Sequence, residues 1–317
     1  EGGLRTPLIV RWPAKVARNR VVESPSIFYD WLPTFTEAAG LIPPANTDGT
    51  SLIPALTGLG KQQESIVYVE YFQGGITPGY KEFAKKNQNR QRGQMQMIRK
   101  GSYVGLRYDI QSADDDFEIY NISKDKQEEY NLAEVETLRE LQQLMKDEVL
   151  QLRMPDTSAI RPYDDTPIPS VKDLDVSKGY TLKQFEGLFP WLPKLDLMRP
   201  VSERKLTDVN EMRNLEDGLY LIEAFIQVPE DGIYVFKFTA KDKGLVRLHN
   251  ALLYDADYKY KTNKTLEKSV HLKKGLHPIK IYFTKCKGAG VPYEFKWTNG
   301  NIRKEDYNNN ILYNKRI

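Results

Sequence analysis

The feature that most constrains the fold is a series of short segments in which apolar and polar residues alternate. They cover residues 223–228, 232–240, 246–253, 269–272 and 277–284. Turn sequences separate them, among them Pro229-Glu230-Asp231-Gly232. Alternation places every second side chain on one face of a strand, so several such strands bury their apolar faces by stacking two sheets. We therefore predict an all-β sandwich over residues 179–317.

Residues 1–153 carry a mixed pattern, which predicts an α+β region with a small antiparallel sheet. Short strands are expected at residues 4–12, 65–72, 95–98, 103–108 and 117–120. The dipeptide Lys100-Gly101 lies where a hairpin would turn, and a helix that stops at Gly40 fits residues 30–40.

A second helix is predicted to begin near Asn131, because Asn131-x-x-Glu134 has the spacing of a capping box. Its apolar residues are spaced for one helix face: Val135, Leu138, Leu141, Met145, Val149 and Leu152. We expect Leu138, Leu141 and Met145 to be buried against Tyr103 or Tyr108. Between the two regions, residues 154–178 hold four prolines and little periodicity, which is typical of a linker.

Composition excludes several classes of protein. The 46 basic and 43 acidic residues are mixed along the chain and give a net charge of +3, which is not the footprint of a nucleic-acid binder. There is no apolar run long enough for a membrane span. The three histidines are His249, His271 and His277, so the first 248 residues can hold neither a Ser/His or Cys/His catalytic pair nor a histidine-built zinc site. The single cysteine, Cys286, excludes an intrachain disulfide.

Four landmarks in the first half resemble, in order, the C-terminal part of the sulfatases. The first is the opening run from Glu1 to Pro13, and the second is Tyr29-Asp30-Trp31-Leu32-Pro33-Thr34 with Ala39-Gly40. Asp48-Gly49-Thr50-Ser51-Leu52 follows, and residues 121–133 are similar to the family's Asp-Pro-x-Glu-x-x-Asn-Leu turn. Here Asp125 keeps the acidic position and Lys126 replaces the proline.

The resemblance implies a sulfatase whose reactive groups lie upstream of this chain. In that family a Cys or Ser of a Cys/Ser-x-Pro-x-Arg motif becomes formylglycine, and calcium held by Asp and Asn polarises the sulfate. None of these positions maps onto the chain, and Cys286 lacks the Pro and Arg of the motif. The chain begins at Glu1 without Met or a signal-type segment, so we expect upstream sequence. We expect no catalytic residue, metal ligand or cofactor in this chain, and formylglycine and calcium in the upstream half.

The same resemblance implies which residues lie near the rim of the substrate pocket. They are Glu70, Gln96 and Arg99, with Arg5 as a substrate-side cation. The alternative is that these polar residues satisfy the backbone at strand edges, and that Arg5 pairs with a carboxylate. The basic run Lys85-Lys86-x-x-x-Arg90-x-Arg92 has two readings as well, attraction of an anionic glycan or a solvated loop.

The second half resembles the protective-antigen-type β-sandwich found on bacterial glycosidases, toxins and adhesins. The matching motifs are Gly179-Tyr180-x-Leu182-x-x-Phe185-Glu186-Gly187, Pro229 to Phe236 and Leu272 to Ile279. Sugar-binding members hold calcium with adjacent aspartates in one turn. Here that turn reads Ala240-Lys241-Asp242-Lys243-Gly244, so we expect no calcium-dependent binding, even with Asp255 and Asp257 nearby. His277 and Cys286 are expected to be strand residues.

Together the two resemblances predict the downstream part of a carbohydrate sulfatase, inactive by itself, and secreted, periplasmic or on the surface of a bacterium. Its expected partners are the upstream catalytic half and a sulfated glycan, with no nucleic acid and no membrane span. The alternative function is a non-catalytic module that binds glycan or braces the catalytic domain. Whether this chain is itself an enzyme stays open.

Overall fold

The computed structural model describes residues 4–156, 158–172, 174–286, 288, 290–299 and 312–315. The backbone forms two compact units. The first comprises Glu1–Ala39, Asp48–Val149 and Asp156–Asp164, and the second comprises Gly40–Thr47, Leu150–Pro155 and Asp165–Ile317. Residues 154–178, which the sequence presents as a linker, thus contribute to both units. Among the described residues, no helix has the length and apolarity needed to cross a bilayer.

The first unit contains a four-stranded antiparallel sheet with the order β1-β2-β3-β4. The strands are β1 (Tyr68–Ile76), β2 (Gln91–Lys100), β3 (Tyr103–Arg107) and β4 (Glu118–Asn121). The predicted hairpin joins β2 to β3, and Gly101 takes φ 58° in its turn, a conformation that glycine adopts without strain. The predicted sheet is confirmed.

The helices of this unit are α1 (Trp31–Ala38), α2 (Ile53–Thr57) and α3 (Arg139–Gln151). A 3₁₀ turn, Phe28–Asp30, leads into α1, and Gly40 follows it with φ 77°. The carboxylate of Asp30 is fully buried and accepts hydrogen bonds from Ile27 N, Thr50 N and Ser65 Oγ. One side chain therefore fixes the start of α1 to two other segments of the unit.

The second unit is a sandwich of two sheets. Its strands are β5 (Val176–Lys178), β6 (Tyr180–Phe185), β7 (Ser202–Leu206), β8 (Gly218–Val228), β9 (Gly232–Ala240), β10 (Gly244–Leu248), β11 (Ala251–Ala256), β12 (Leu266–Leu272), β13 (Gly275–Lys285), β14 (Tyr293–Asn299) and β15 (Tyr313–Lys315). The larger sheet runs β11-β10-β13-β8-β15-β5, with β6 between β8 and β7, and the smaller runs β12-β9-β14. Buried aromatic side chains fill the core, including Tyr220, Tyr234, Phe236, Phe238 and Phe283.

Three of the sequence-based element predictions are wrong. Residues 5–12 form no strand; Ile9 is 93% exposed, and no described segment supplies the neighbouring strand that a ladder requires. The predicted strand at residues 246–253 is a hairpin of β10 and β11, turned at His249 with φ 52°.

The third concerns the helix expected near Asn131, which begins only at Arg139 after a 3₁₀ turn, Glu136–Leu138. Asn131 Oδ1 does not cap it, because this oxygen accepts hydrogen bonds from Ile119 N and Ala133 N. Met145 is buried as expected, with its sulfur facing Gly105, whereas Leu138 and Leu141 are only half-buried.

Candidate functional site

The predicted rim residues Glu70 and Gln96 form a directly opposed pair on β1 and β2. Glu70 Oε2 accepts hydrogen bonds from the hydroxyls of Tyr68 (2.8 Å) and Tyr163 (2.9 Å). Glu70 Oε1 lies 3.2 Å from Arg161 Nε, and both side chains are 19% exposed. The carboxylate is therefore an acceptor held by three side chains.

Gln96 is 3% exposed, and both the nitrogen and the oxygen of its amide take part in the same network. Its Nε2 donates to Tyr68 Oη at 2.8 Å, and its Oε1 accepts from Arg107 Nε (2.8 Å) and Nη2 (2.5 Å). Gln94, next on this face of β2, donates to Tyr163 Oη at 2.9 Å. We call the six residues Tyr68, Glu70, Gln94, Gln96, Arg107 and Tyr163 the polar network.

Arg107 supplies the positive charge of the polar network from inside the unit. It is 2% exposed, and its Nη1 donates to the carbonyls of Ala113 (3.0 Å) and Asp115 (2.9 Å). The guanidinium carbon lies 4.4 Å from the centre of the Phe117 ring. Burial lowers the pKa of Arg107 from its ordinary value, but a guanidinium keeps its proton in proteins. A buried charge satisfied by carbonyls and an amide holds neighbouring groups in place.

Arg99 and Arg5 do not join the polar network. Arg99 lies three positions after Gln96 on β2, and so points to the opposite face of the sheet, where its Nε donates to Gly101 O at 3.0 Å. Arg5 is exposed in the segment before α1. The four rim candidates thus occupy three separate places in the first unit.

The basic run in the loop before β2 is largely engaged within the unit. Arg90 forms an ion pair with Glu118 at 2.7 Å, and its guanidinium lies 3.7 Å from the Tyr108 ring centre. Lys86 Nζ donates to the Tyr120 hydroxyl at 3.1 Å and to Glu128 O. These contacts anchor the loop to the sheet, which the sequence alone did not indicate.

Sequence reasoning also missed Arg107, Arg161 and Tyr163. Tyr163 and Arg161 lie in the proline-rich segment that resembled a linker, yet Tyr163 is fully buried. A signal was present for Arg107, because it shares the alternating face of β3 with Gly105, which the helix covers. A charged residue at an inward position of a strand indicates a buried polar partner.

In the second unit, the turn between β9 and β10 holds the aspartate expected to remain from a calcium site. Asp242 Oδ2 accepts a hydrogen bond from Thr284 Oγ1 at 2.6 Å, and the thiol of Cys286 lies 3.3 Å away. Lys243 Nζ lies 2.8 Å from Asp257 Oδ1 and donates to Pro190 O at 3.2 Å. The ammonium group of Lys243 neutralises Asp257, and lysines flank Asp242 on both sides, so these oxygens do not fit calcium. Among the described residues, no three His, Cys, Asp or Glu side chains cluster to hold a metal.

Two histidines of the sandwich contact each other. His249 Nε2 and His277 Nδ1 are 2.8 Å apart, and His277 Nε2 lies 2.7 Å from Lys273 O. Burial is the main cause that lowers the pKa of His249 to about 3 and that of His277 to about 4. His277 is a β13 core residue as predicted, whereas Cys286 follows the end of that strand and is exposed.

Comparison with known families matches both halves of the chain. Residues 1–155 match the family described as "N-sulphoglucosamine sulphohydrolase, C-terminal", and residues 214–310 match the "PA14 domain". Steryl-sulfatase of Mus musculus is 39% identical over 66 residues, which are 20% of this chain and 11% of that protein. N-acetylgalactosamine-6-sulfatase of Canis lupus familiaris is 38% identical over 60 residues, 18% of this chain and 12% of that protein. The aligned part of the chain thus spans only about a tenth of the length of these relatives.

Solved structures show weaker likeness. A β-glucosidase from Kluyveromyces marxianus gives a TM-score of 0.32 at 14% identity, covering 40% of this chain and 17% of that chain. The epithelial adhesin 9 A domain of Candida glabrata, solved with Galβ1-3GlcNAc, gives 0.32 at 11% identity, covering 46% and 96%. These two likenesses carry no functional information. The two family matches agree with the four-stranded sheet of the first unit and the sandwich of the second. The chain joins a sulfatase C-terminal region to a PA14 β-sandwich.

Proposed function

We propose that this chain is the downstream, non-catalytic part of a sulfatase that hydrolyses sulfate esters on carbohydrate. The observation that carries the proposal is the match of residues 1–155 to the C-terminal region of a sulfohydrolase family, together with the sheet and helix found there. Sulfate-ester cleavage needs an activated nucleophile and a polarising cation. The single cysteine, Cys286, is an exposed residue whose thiol is only partly shielded from water. This partial desolvation and the nearby Asp242 carboxylate raise the pKa of the thiol. That is the opposite of an activated thiol.

In this proposal the upstream half contributes formylglycine and calcium, and this chain shapes the rim of the pocket. The polar network fixes the position of Glu70 at the β1 edge of the sheet. Gln96 acts through Tyr68 and Arg107, since its own amide is engaged. Arg99 lies on the opposite face of the sheet and Arg5 in the segment before α1, so in this proposal either would meet an anionic substrate apart from Glu70 and not at one shared rim. Extracellular, periplasmic or cell-surface location belongs to the same proposal.

Sequencing the reading frame upstream of Glu1 tests this proposal. We expect a Cys/Ser-x-Pro-x-Arg motif, and mass spectrometry of the purified full-length protein should find its first residue converted to formylglycine. A reading frame without that motif would contradict the proposal. It would leave the second candidate function, a glycan-binding or bracing module, which the PA14 match over residues 214–310 favours.

A further inference from the structure

Exposed lysines gather on one loop of the sandwich, between β11 and β12. Lys259, Lys261 and Lys264 are exposed, and Lys241, from the turn between β9 and β10, is exposed beside them. Lys241 Nζ donates to Asn263 Oδ1 of the loop at 3.0 Å, which brings its charge to the same surface. We call residues 257–265 together with Lys241 the lysine loop.

The carboxylates that flank the lysine loop in sequence are engaged elsewhere. Asp242, next to Lys241, accepts a hydrogen bond from Thr284 Oγ1 at 2.6 Å. Asp257 pairs with Lys243 and accepts a hydrogen bond from Leu192 N at 2.5 Å. Asp255 accepts from Asn46 Nδ2 at 2.9 Å, and Glu267 pairs with Lys237 at 2.9 Å. In the part of the chain that the structure describes, no carboxylate pairs with Lys259, Lys261 or Lys264. The loop therefore presents an excess of positive charge to solvent.

The backbone of the loop is held in one shape. Asn263 N donates to Ala240 O at 3.0 Å, and Lys264 N donates to Lys261 O at 3.0 Å. The Tyr260 hydroxyl donates to Lys264 O at 2.5 Å and accepts from Ala240 N at 3.1 Å. A backbone tied down in this way loses little conformational entropy when the loop binds a ligand, so the positions from which its lysines extend are fixed in advance.

An exposed aromatic ring accompanies the charges. Tyr258 is 77% exposed, and Lys259 Nζ lies 5.0 Å from the centre of its ring. An exposed tyrosine offers an apolar face for a sugar ring and a hydroxyl for hydrogen bonds. Lysine ammonium groups attract anionic oxygens as point charges.

We propose that the lysine loop binds sulfated carbohydrate directly, without a metal ion. The combination of ammonium groups with a tyrosine face matches a ligand that has both anionic groups and sugar rings. The choice of sulfate as the anion rests on the proposed function above. Binding here would hold an anionic polysaccharide on the protein, and it uses none of the rim residues.

Heparin and its chemically desulfated form are the probes that test this assignment on the whole chain. We expect heparin to bind, desulfated heparin to bind at least about tenfold more weakly, and binding to fall as ionic strength rises from about 0.05 M to about 0.3 M. Addition of a chelator should leave the affinity unchanged. Affinity that vanishes with chelator would overturn the proposal.

The variant K259Q/K261Q/K264Q should weaken heparin binding at least about tenfold. The matched control K205Q/K273Q/K274Q removes the same charge from exposed lysines elsewhere on the sandwich and should bind like the unmodified chain. Equal losses in both variants would overturn the proposal, as would equal affinity for double-stranded DNA at the same charge. The single variant K261Q, expected to weaken binding in the same direction, serves if the triple variant unfolds.

The heparin-binding test of the lysine loop can be distinguished from the sulfate-release test of the proposed function. One outcome is that the triple variant of the full-length protein loses heparin binding and still releases sulfate from small substrates at the unmodified rate. That result supports the lysine loop as a separate site. Heparin binding by a full-length protein that releases no sulfate would contradict the proposed function and leave this site standing. Unchanged binding in the triple variant contradicts the site alone.

Discussion

Glu70 is the acceptor around which the polar network of the first unit is arranged. It accepts hydrogen bonds from the hydroxyls of Tyr68 and Tyr163 and forms an ion pair with Arg161. The donors come from two parts of the unit: Tyr68 from the same strand, and Tyr163 and Arg161 from the segment Asp156–Asp164. The carboxylate thus attaches that segment to the sheet, in addition to any role toward a substrate.

The substitution Glu70→Gln should lower the free energy of unfolding of the first unit by about 1–3 kcal/mol. It keeps the size of the side chain but removes the charge that Arg161 pairs with and one acceptor site of the carboxylate. Hydrogen exchange of the β2 amides measures this without requiring a single transition for both units. Glu82→Gln, at an exposed position, is the control and should leave the exchange unchanged. Equal protection in both variants would contradict the role given to Glu70.

Lys243 places a positive charge in the turn between β9 and β10, which disfavours calcium there. Its ammonium lies against Asp257, while Asp242 is occupied by Thr284. We therefore expect calcium to leave the melting temperature of the chain unchanged in calorimetry against a chelator. A site filled at 100 times its dissociation constant would add about 2.7 kcal/mol, which is a shift of several degrees. A shift of that size would show that other oxygens rebuild a calcium site.

At the scale of elements, the pair His249–His277 joins the β10–β11 turn to β13. The turn needs the left-handed backbone conformation that His249 adopts. The imidazole of His249 contacts the buried ring of His277. Each imidazole has a lower pKa in the folded chain, about 3 or about 4, than its value of about 6.5 in the unfolded chain. Between the folded and the unfolded pKa, the unfolded chain therefore binds more protons than the folded chain. The stabilisation is complete above about pH 6.5 and is lost as pH falls toward about 4.

We expect the melting temperature of the sandwich to fall between pH 7 and pH 5. Protonation of the unfolded chain should lower the free energy of unfolding by about 2 kcal/mol per histidine at pH 5, relative to its value at pH 7. The variant His249→Asn keeps a residue that tolerates positive φ and removes one titrating ring, so its melting temperature should depend less on pH. His271→Gln leaves the pair intact and should follow the unmodified chain. An identical pH slope in His249→Asn and the unmodified chain would contradict this account.

At the scale of the whole molecule, local sequence predicted the elements whose partners are close in the chain. The β2–β3 hairpin and the strands β9 and β13 follow from alternation and turn residues. The start of α3 could not be predicted from Asn131, because Asn131 Oδ1 accepts a hydrogen bond from Ile119 N in β4 and does not cap a helix. The segment at residues 5–12 has strand-like composition, but composition does not supply a neighbouring strand.

The candidate site was only partly predictable for the same reason. Glu70 and Gln96 could be named from a resemblance, and their cross-strand register then places them on one face. Tyr163 could not, because a buried tyrosine in a proline-rich segment gives no periodic signal. The resemblance places Arg99 in the same rim hairpin as Gln96, although an odd spacing along a strand puts the two side chains on opposite faces.

Sulfate release is the measurement that tests the central claim most directly. The full-length protein and this chain would each be incubated with a sulfated oligosaccharide and with a chromogenic sulfate ester. Each incubation would be run with and without calcium, and the free sulfate would be quantified. We predict release by the full-length protein and none above background by this chain under any condition. Turnover by repurified chain would contradict the assignment of the reactive groups upstream, and a full-length protein that releases no sulfate from either substrate would contradict the sulfatase itself.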